Sequence, residues 1–235
     1  MKEKIEGILP VDKPEGISSF FFVPRLRKIL DLSKIGHSGT LDPFASGILL
    51  FLLGKNFTCL FQKFVSMEKE YIAQIYFGAS TDSHDRTGRI TQLSGKIPRK
   101  EEVQYVLNKY FSGTVKQIPP MYSAKKVLGK KLHHWMKRGV EVDRSAREVS
   151  LQSTLLSYHY PWLRVKITCS KGTYIRKIAY DLGIFLGCKA YLESLCRIRN
   201  GSFALEQCLK GEIFLRKEVE ITPCWIKRFI FLKAS

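Results

Sequence analysis

Residues 163–186 read LRVKITCSKGTYIRKIAYDLGIFL, and this stretch contains a strand pattern followed by a helix pattern. Over 163–170 apolar and polar residues alternate, which predicts a half-buried strand whose outer face carries Arg164 and Lys166. From Ile175 onward the apolar residues recur at helical spacing, so the chain is expected to turn from strand to helix across SKGT. This stretch therefore points to a fold that mixes strands and helices.

The same two patterns recur along the chain without a regular order. Alternation predicts further strands over 71–77 and 148–158, and helical spacing predicts helices over 57–65 and 103–111. Because strands and helices do not alternate regularly, we expect an α+β fold with a largely antiparallel sheet. The chain has 235 residues, of which 45% are hydrophobic, and this is enough to bury a core in one large or two small domains.

Membrane insertion and secretion are disfavoured by the distribution of apolar residues. The longest uninterrupted apolar run, Ile48–Leu53, has six residues, whereas a spanning helix needs about 20. The first residues, MKEKIEGILP, lack the long apolar stretch of a signal peptide. We therefore expect a soluble, cytoplasmic protein that has no membrane partner.

The charge balance indicates a polyanionic partner. Lys and Arg total 39 against 21 Asp and Glu, which gives a net charge of +18, and such an excess is typical of proteins that bind nucleic acid. Residues 121–140 and 161–180 carry several cations and no acid, and aromatic rings that could stack on bases lie among them. These rings are Tyr122, Trp135, Trp162 and Tyr174. The alternative is two solvated surface strips with core aromatics.

The cysteines and histidines do not form a metal-site pattern. None of the six cysteines lies in a C-x-x-C pair, and no Cys/His cluster has zinc-finger spacing. We therefore expect reduced thiols and no structural metal. Asp82, His84 and Asp85 could suggest an acid/base or metal site, but acids in such a glycine-flanked segment are more often loop hydrogen-bonders.

The most unusual local sequence is GHSGTLDPFASG at 36–47, where three glycines and a proline define a shaped loop. Pro43 biases Asp42 toward an extended backbone. Two interpretations of Asp42 remain open on this evidence. It is either the first residue of a turn, a common position for Asp, or a nucleophile or general base presented to a ligand.

Six blocks of sequence stand out between residues 11 and 203. The blocks are VDKPEGISS at 11–19, GHSGTLDPFASGIL at 36–49, KEYIAQIYFGASTDSHDRTG at 69–88, PPMYSAKKVLGKKL at 119–132, CSKGTYIRKIAYDLG at 169–183 and LESLCRIRNGSF at 192–203. In content and in order they resemble the TruB-type tRNA pseudouridine synthases, and a chance match of six ordered blocks over this span is negligible.

The resemblance implies a fold and a reaction. The fold would be a mixed, largely antiparallel sheet flanked by helices, with a central active-site cleft. The enzyme would isomerise uridine-55 in the T-loop of tRNA to pseudouridine, after flipping the nucleotide out of the folded RNA. It would contact the T-loop and stem of tRNA and need no metal or cofactor. Apart from the resemblance, no heptad or large apolar stretch in the sequence calls for an oligomer, so we expect a monomer. The alternative is a non-catalytic tRNA-binding or tRNA-folding protein on the same scaffold.

The resemblance also assigns roles to residues, beginning with Asp42 as the catalytic aspartate. It implies that Tyr71 stacks on the flipped uracil and that Arg176 pairs with Asp42 and keeps it ionised. Arg176 has an independent argument as well, because it falls in the first turn of a helix, where the helix dipole disfavours a cation that has no compensating anion.

Four further positions match the family's site. Tyr174 and Leu195 match the substrate pocket, where Leu195 would supply an apolar wall or be ordinary core. His37 matches a histidine that inserts beside the extruded nucleotide, or it stabilises the loop. Lys13 matches a lysine that contacts phosphate or supports the loop.

The chain departs from the family pattern at two places. The stretch that contains His133, Met136 and Lys137 lacks the usual tyrosine and alanine-arginine. After the last block only a short segment remains, below the roughly 50 residues of an independent domain. We therefore expect a catalytic domain over 1–205 and a short C-terminal extension over 206–235, too short for a full PUA domain.

Overall fold

The structure is a computed structural model, and it describes residues 5–120, 126–127, 130–131, 142–215 and 222–232. Its strands are β1 (Gly7–Lys13), β2 (Ile35–Ser38), β3 (Ser46–Leu53), β4 (Lys69–Phe77), β5 (Ala79–Thr81), β6 (Ile90–Leu93), β7 (Ser112–Gln117), β8 (Lys126–Val127), β9 (Lys130–Lys131), β10 (Arg147–His159), β11 (Trp162–Cys169), β12 (Ala190–Asn200), β13 (Phe203–Ala204) and β14 (Leu209–Lys210). Its α-helices are α1 (Phe22–Leu30), α2 (Gly54–Thr58), α3 (Phe61–Ser66), α4 (Lys100–Tyr110), α5 (Ile175–Leu186) and α6 (Pro223–Lys227). Short 3-10 helices cover Ser19–Phe21, Leu205–Gln207 and Gly211–Leu215. Among the helices in these ranges, none is both long and apolar enough to cross a bilayer.

The chain divides into two compact units. Unit 1 comprises Met1–Tyr71 and Leu195–Ser235, and unit 2 comprises Ile72–Ser194. The chain leaves unit 1 within β4 and returns to it within β12.

Unit 1 is built around β3. This strand pairs antiparallel with β1, from Gly7↔Leu53 to Lys13↔Gly47, and parallel with β12 at Cys196↔Ser46 and Arg197↔Gly47. It also pairs antiparallel with β2, and β14 lies parallel to β1. The order is therefore β14-β1-β3-β12.

Strand β3 is apolar on both faces, and this explains the long apolar run of the sequence. Leu49, Phe51 and Leu53 pack in one core cluster with α1, whereas Ile48, Leu50 and Leu52 pack on the other side in a second cluster with Phe64 and Phe203. A strand buried on both faces has no polar face, so its sequence does not alternate.

The C-terminal segment is part of unit 1. Phe214 and Ile226 belong to the same cluster as Leu26 of α1. Ile8 and Phe231 exchange two backbone hydrogen bonds, of 2.8 and 2.9 Å. The described part of 206–232 thus packs on the residues that precede it, as an extension would.

Unit 2 contains the strand and the helix that are predicted over residues 163–186. Strand β11 pairs antiparallel with β10, from Leu151↔Cys169 to His159↔Trp162, and β10 pairs antiparallel with β7. The order is β12-β4-β11-β10-β7. Helix α4 packs against α5 and β10. Helix α5 ends at Gly187, whose left-handed φ of 66° suits a residue without a Cβ.

The α+β class and the largely antiparallel pairing are confirmed, and so are the predicted strands over 71–77, 148–158 and 163–170. The helix predicted over 103–111 is α4. The helix predicted over 57–65 is wrong in its continuity, because the chain forms the two short helices α2 and α3 there, with Cys59 and Leu60 between them.

Candidate active site

Asp42 lies on the loop that joins β2 to β3. The Ala45 amide donates to the Asp42 carbonyl at 3.1 Å, so Asp42 opens a tight turn that contains Pro43. Its side chain is half-buried. The loop begins at Gly39, which has a φ of 71°, a conformation that favours glycine. Asp42 is therefore the first residue of a turn, as one of the two interpretations predicts. This does not exclude the other interpretation, a nucleophile or general base, because a turn residue keeps its carboxylate available for chemistry.

Lys13 supports this loop from the end of β1. Its side chain is fully buried, and its Nζ donates to the carbonyls of Pro14 at 2.8 Å, Ile17 at 2.9 Å and Pro43 at 3.2 Å. Burial lowers the pKa of Lys13 to about 8, and the negative charges of Glu15 and Asp42 partly oppose that shift. All three ammonium protons have acceptors, which favours loop support over contact with a phosphate.

Ser19 holds the residue that precedes Asp42. Its Oγ donates to the Leu41 carbonyl at 3.0 Å and accepts from the Leu41 amide at 2.9 Å, and both residues are buried. The Gly16 amide donates to the Pro43 carbonyl at 2.8 Å. The block VDKPEGISS is therefore a clamp for the aspartate loop, a role that the sequence analysis did not assign to Ser19.

Arg197 is a second residue that sequence reasoning missed. It lies on β12 with 1% of its surface exposed. Its Nε donates to the Ile48 carbonyl at 2.6 Å and its Nη2 donates to the Gly39 carbonyl at 2.9 Å. The signal was present, because Arg197 falls two residues after the buried Leu195, on the same face of a strand, where a cation is unexpected.

Tyr71 lies beside Arg197. The ring is 8% exposed, its hydroxyl accepts from Arg197 Nη1 at 3.5 Å, and the guanidinium carbon lies 6.0 Å from the ring centroid. The phenol that the resemblance assigns to the uracil is thus held in place by the same side chain that contacts the aspartate loop.

His37 and Leu195 also belong to unit 1. His37 is half-buried on β2, its ring meets Phe51 edge-on at 6.1 Å, and burial lowers its pKa. Its Nδ1 is buried and has no hydrogen-bond partner among the described residues. Leu195 is 6% exposed, and its carbonyl lies 3.5 Å from Ser46 Oγ.

Arg176 begins α5 in unit 2 and is 6% exposed. The anion expected to compensate it is present, since Nη1 lies 3.4 Å from Oδ2 of Asp85 and donates to the Ser83 carbonyl at 3.2 Å. Asp85 in turn accepts from Ser83 Oγ at 2.8 Å and from the Thr87 amide at 2.9 Å. Asp85 is therefore more than a loop hydrogen-bonder, because it also neutralises Arg176.

Three other residues of unit 2 make well-defined contacts. The Tyr174 amide donates to Gln117 Oε1 at 2.8 Å and its carbonyl accepts from Gln117 Nε2 at 3.1 Å, so the start of α5 is fixed to the end of β7. Asp82 accepts from the Arg89 amide at 3.0 Å, as a loop residue. His84 stacks on Tyr180 at 4.0 Å, and burial lowers its pKa to about 4.

The cationic windows are described in part. On β11, Trp162 and Arg164 are exposed and Lys166 is half-buried, which confirms the cationic outer face. Trp162 meets Tyr76 at 5.0 Å. Most of the other window lies outside the described residues, namely Tyr122, His133, Trp135, Met136, Lys137 and Arg138.

The chain is similar in sequence to known proteins over most of its length. The model of the TruB family pseudouridylate synthase (N terminal domain) matches residues 27–175. The chain is 50% identical over 207 residues to a tRNA pseudouridine synthase B of Protochlamydia amoebophila, covering 88% of this chain and 79% of that protein. It is 45% identical over 221 residues to the protein of the same name from Chlamydia trachomatis serovar L2, covering 94% and 91%.

Solved structures share the fold. A chain of a Cbf5-Nop10-Gar1 complex is 25% identical with a TM-score of 0.70, over 96% of this chain. A chain of an H/ACA RNP bound to a substrate RNA containing 2'-deoxyuridine is 24% identical with a TM-score of 0.62, over 94% of this chain. This chain spans only 60% and 57% of the lengths of those two chains, so these likenesses support the fold alone.

Proposed function

Because the chain belongs to the TruB family of pseudouridylate synthases and is an isomerase that acts on tRNA, we propose that it converts uridine-55 of the T-loop to pseudouridine with Asp42 as the nucleophile. In this isomerisation the bond from ribose C1′ to uracil N1 breaks and a bond from C1′ to C5 forms. The C5 proton leaves to solvent and N1 gains a proton, so no oxidant, reductant or metal is required.

The observation that carries the assignment is the way the backbone around Asp42 is held. Four residues around Asp42, three in the loop and one on β3, have backbone carbonyls that accept hydrogen bonds from three side chains elsewhere in unit 1. These residues are Gly39, Leu41, Pro43 and Ile48, and the donors are Arg197, Ser19 and Lys13. A turn that carried no chemistry would not need such restraint, whereas a nucleophile must be fixed to within a fraction of an ångström.

The carboxylate has the chemistry that the reaction needs. It would attack C1′ or uracil C6, or assist formation of a glycal, and then release the rejoined nucleotide. Tyr71 would stack on the flipped uracil, an interaction worth about 1–3 kcal/mol per base, and Leu195 would supply an apolar wall. His37, whose buried Nδ1 has no partner within the described part of the chain, would contact the RNA beside the extruded nucleotide.

The roles of the residues in unit 2 rest on the resemblance. It implies that Arg176 pairs with the catalytic carboxylate and that Tyr174 lines the substrate pocket, and we propose both. The charge of +18 and the exposed cations of β11 support binding to the T-loop and stem of tRNA. We further propose that residues 1–205 form the catalytic domain, that 206–235 form its extension, and that the protein acts in the cytoplasm as a monomer without a metal.

The test is release of tritium from tRNA labelled at uracil C5. We expect release by the wild-type protein and loss by at least about 1,000-fold in Asp42→Asn, because the amide is a poor nucleophile. The affinity for tRNA should stay within about twofold of wild type. The matched control is Asp31→Asn, since Asp31 is exposed and adopts a left-handed φ of 50° that asparagine tolerates.

Two results would overturn the proposal. Undiminished release by Asp42→Asn would remove the nucleophile assignment. Tight binding of tRNA by a wild-type protein that releases no tritium would instead favour the non-catalytic tRNA-binding protein.

A further inference from the structure

Arg197 makes contacts that single it out among the buried polar residues of unit 1. Its guanidinium bridges the carbonyls of Gly39 and Ile48, which lie at the two ends of the segment that carries Asp42. The third nitrogen, Nη1, reaches the hydroxyl of Tyr71 at 3.5 Å. One side chain therefore touches both ends of the aspartate loop and the aromatic residue assigned to the base.

The backbone around Arg197 is as tightly fitted as its side chain. Arg197 lies opposite Gly47 in the parallel pairing of β12 with β3. A Cβ placed on Gly47 would lie 2.3 Å from the Arg197 carbonyl oxygen, and one on Gly39 would lie 3.4 Å from Nη1. These two glycines let the loop close around the arginine, so its position is fixed from both the strand and the loop.

The geometry specifically requires an arginine. A guanidinium is a planar fork with several donors in fixed directions, whereas a lysine ammonium is a single point charge on a flexible stem. A lysine at this position could reach one of the two carbonyls, but it could not bridge both while contacting the phenol. Burying a cation also costs desolvation free energy, so a group used only to fill space here would be better apolar.

We propose that Arg197 is a positioning residue for the isomerisation, one that sets the aspartate loop and the Tyr71 ring in register with each other. It acts through these two groups rather than on the substrate itself. This inference rests on the proposed function, because it assumes that Asp42 and Tyr71 are the reacting and stacking groups.

The competing explanation is that Arg197 only stabilises the fold. The two explanations differ in what they predict for the folded enzyme. A residue that only stabilises would lower the melting temperature while each folded molecule keeps its rate. A positioning residue would lower the rate of the chemical step in folded molecules and leave the affinity for tRNA unchanged.

The experiment compares Arg197→Lys and Arg197→Gln with wild type in single-turnover tritium release, with enzyme in excess over tRNA labelled at uracil C5. The folded fraction is measured by thermal unfolding, and the affinity for tRNA by filter binding. The matched control is Arg199→Lys on the same strand, because Arg199 is half exposed and pairs with Glu70 at 3.5 Å.

For Arg197→Lys we expect a single-turnover rate lower by about 10- to 100-fold per folded molecule, the range that misplacement of reacting groups by about an ångström produces. Arg197→Gln should be slowed at least as much, and the affinity of both variants for tRNA should stay within about twofold. Arg199→Lys should match wild type. The glutamine variant is neutral, and it keeps the test open if the lysine variant does not fold.

Three results would overturn the proposal. The first is a wild-type rate per folded molecule in Arg197→Gln. The second is a near-normal rate in Arg197→Lys with a slow Arg197→Gln, which would show that charge alone matters. The third is a loss of tRNA affinity that accounts for the whole effect. In each of these three results, tritium release by wild type and by Arg199→Lys would still support the proposed function. If wild type itself releases no tritium, the proposed function is rejected instead.

Discussion

Replacing Ser19 by alanine tests whether its hydrogen bonds to Leu41 hold the loop that carries Asp42. Ser19 Oγ makes two hydrogen bonds, one to the amide and one to the carbonyl of Leu41, and both residues are 3% exposed. Alanine leaves both backbone groups unpaired in a buried place, where each costs about 1–3 kcal/mol. Because the backbone can relax and recover part of that cost, we expect the free energy of unfolding to fall by roughly 2–4 kcal/mol.

This loss of stability should be visible by two methods. In a chain of this length about 1 kcal/mol corresponds to 2–4 °C, so thermal unfolding should shift downward by roughly 5–15 °C. Urea denaturation should show a lower midpoint with an unchanged slope, because the substitution changes little surface area. Since Leu41 directly precedes Asp42, single-turnover tritium release per folded molecule should also fall, by about 10-fold or more.

Ser33→Ala is the control, because Ser33 is exposed, and surface changes of this kind are usually within about 0.5 kcal/mol of neutral. A Ser19→Ala protein as stable as the control would refute the reasoning about the buried pair. A destabilised Ser19→Ala protein that keeps the wild-type rate per folded molecule would show that the contact supports the fold without positioning Asp42.

Two further substitutions test buried charges. Burial lowers the pKa of Lys13 from 10.5 to about 8, so between these values the unfolded chain binds more protons and the free energy of unfolding should rise with pH. Relative to Lys13→Met, the free energy of unfolding of wild type should rise by on the order of 3 kcal/mol between pH 8 and 10.5. Urea denaturation at each pH measures this rise. A difference between the two proteins that stays constant with pH would contradict the lowered pKa. Asp85→Asn removes the carboxylate that lies 3.4 Å from the buried Arg176, and the free energy of unfolding should fall by about 3–5 kcal/mol. Asp82→Asn should be nearly neutral in the same measurement, because an amide oxygen can still accept from the Arg89 amide. Equal stabilities for the two variants would refute the buried pair.

The parts of the fold that the sequence predicted are those whose pattern is local. Strand β11 and helix α5 each bury one face, so their apolar residues recur with the period of the element. Strand β3 lacks such a period because it is buried on both faces, and its run of apolar residues served only to exclude a membrane span. The chain between Gly54 and Ser66 has helical spacing throughout, but two short helices form there, and spacing alone does not show such a break.

The candidate site, like the fold, was predicted from the sequence only where its pattern is local. The aspartate loop was visible because glycine and proline mark a shaped loop locally, and the resemblance then assigned Asp42. The contacts that hold the loop join residues far apart in the chain, such as Arg197 with Gly39 and Ser19 with Leu41, and no local pattern encodes them. The pairing of Arg176 with Asp85 also needed coordinates, because the helix dipole argument predicted an anion without identifying it.

The use of two cations beneath the loop calls for a physical reason beyond hydrogen bonding. Ser19 shows that a neutral side chain can fix a loop carbonyl, and burying Lys13 and Arg197 carries a desolvation cost that Ser19 avoids. The negative charge of Asp42 acts on Lys13 in the direction that favours its protonated form, and because electrostatic attraction is mutual, the Lys13 cation stabilises the Asp42 carboxylate. Lys13 thus both holds the backbone of the loop and contributes to the charge environment of Asp42. Comparing Arg197→Lys, which keeps the charge but loses the fork of donors, with Arg197→Gln, which loses both, would separate these two contributions.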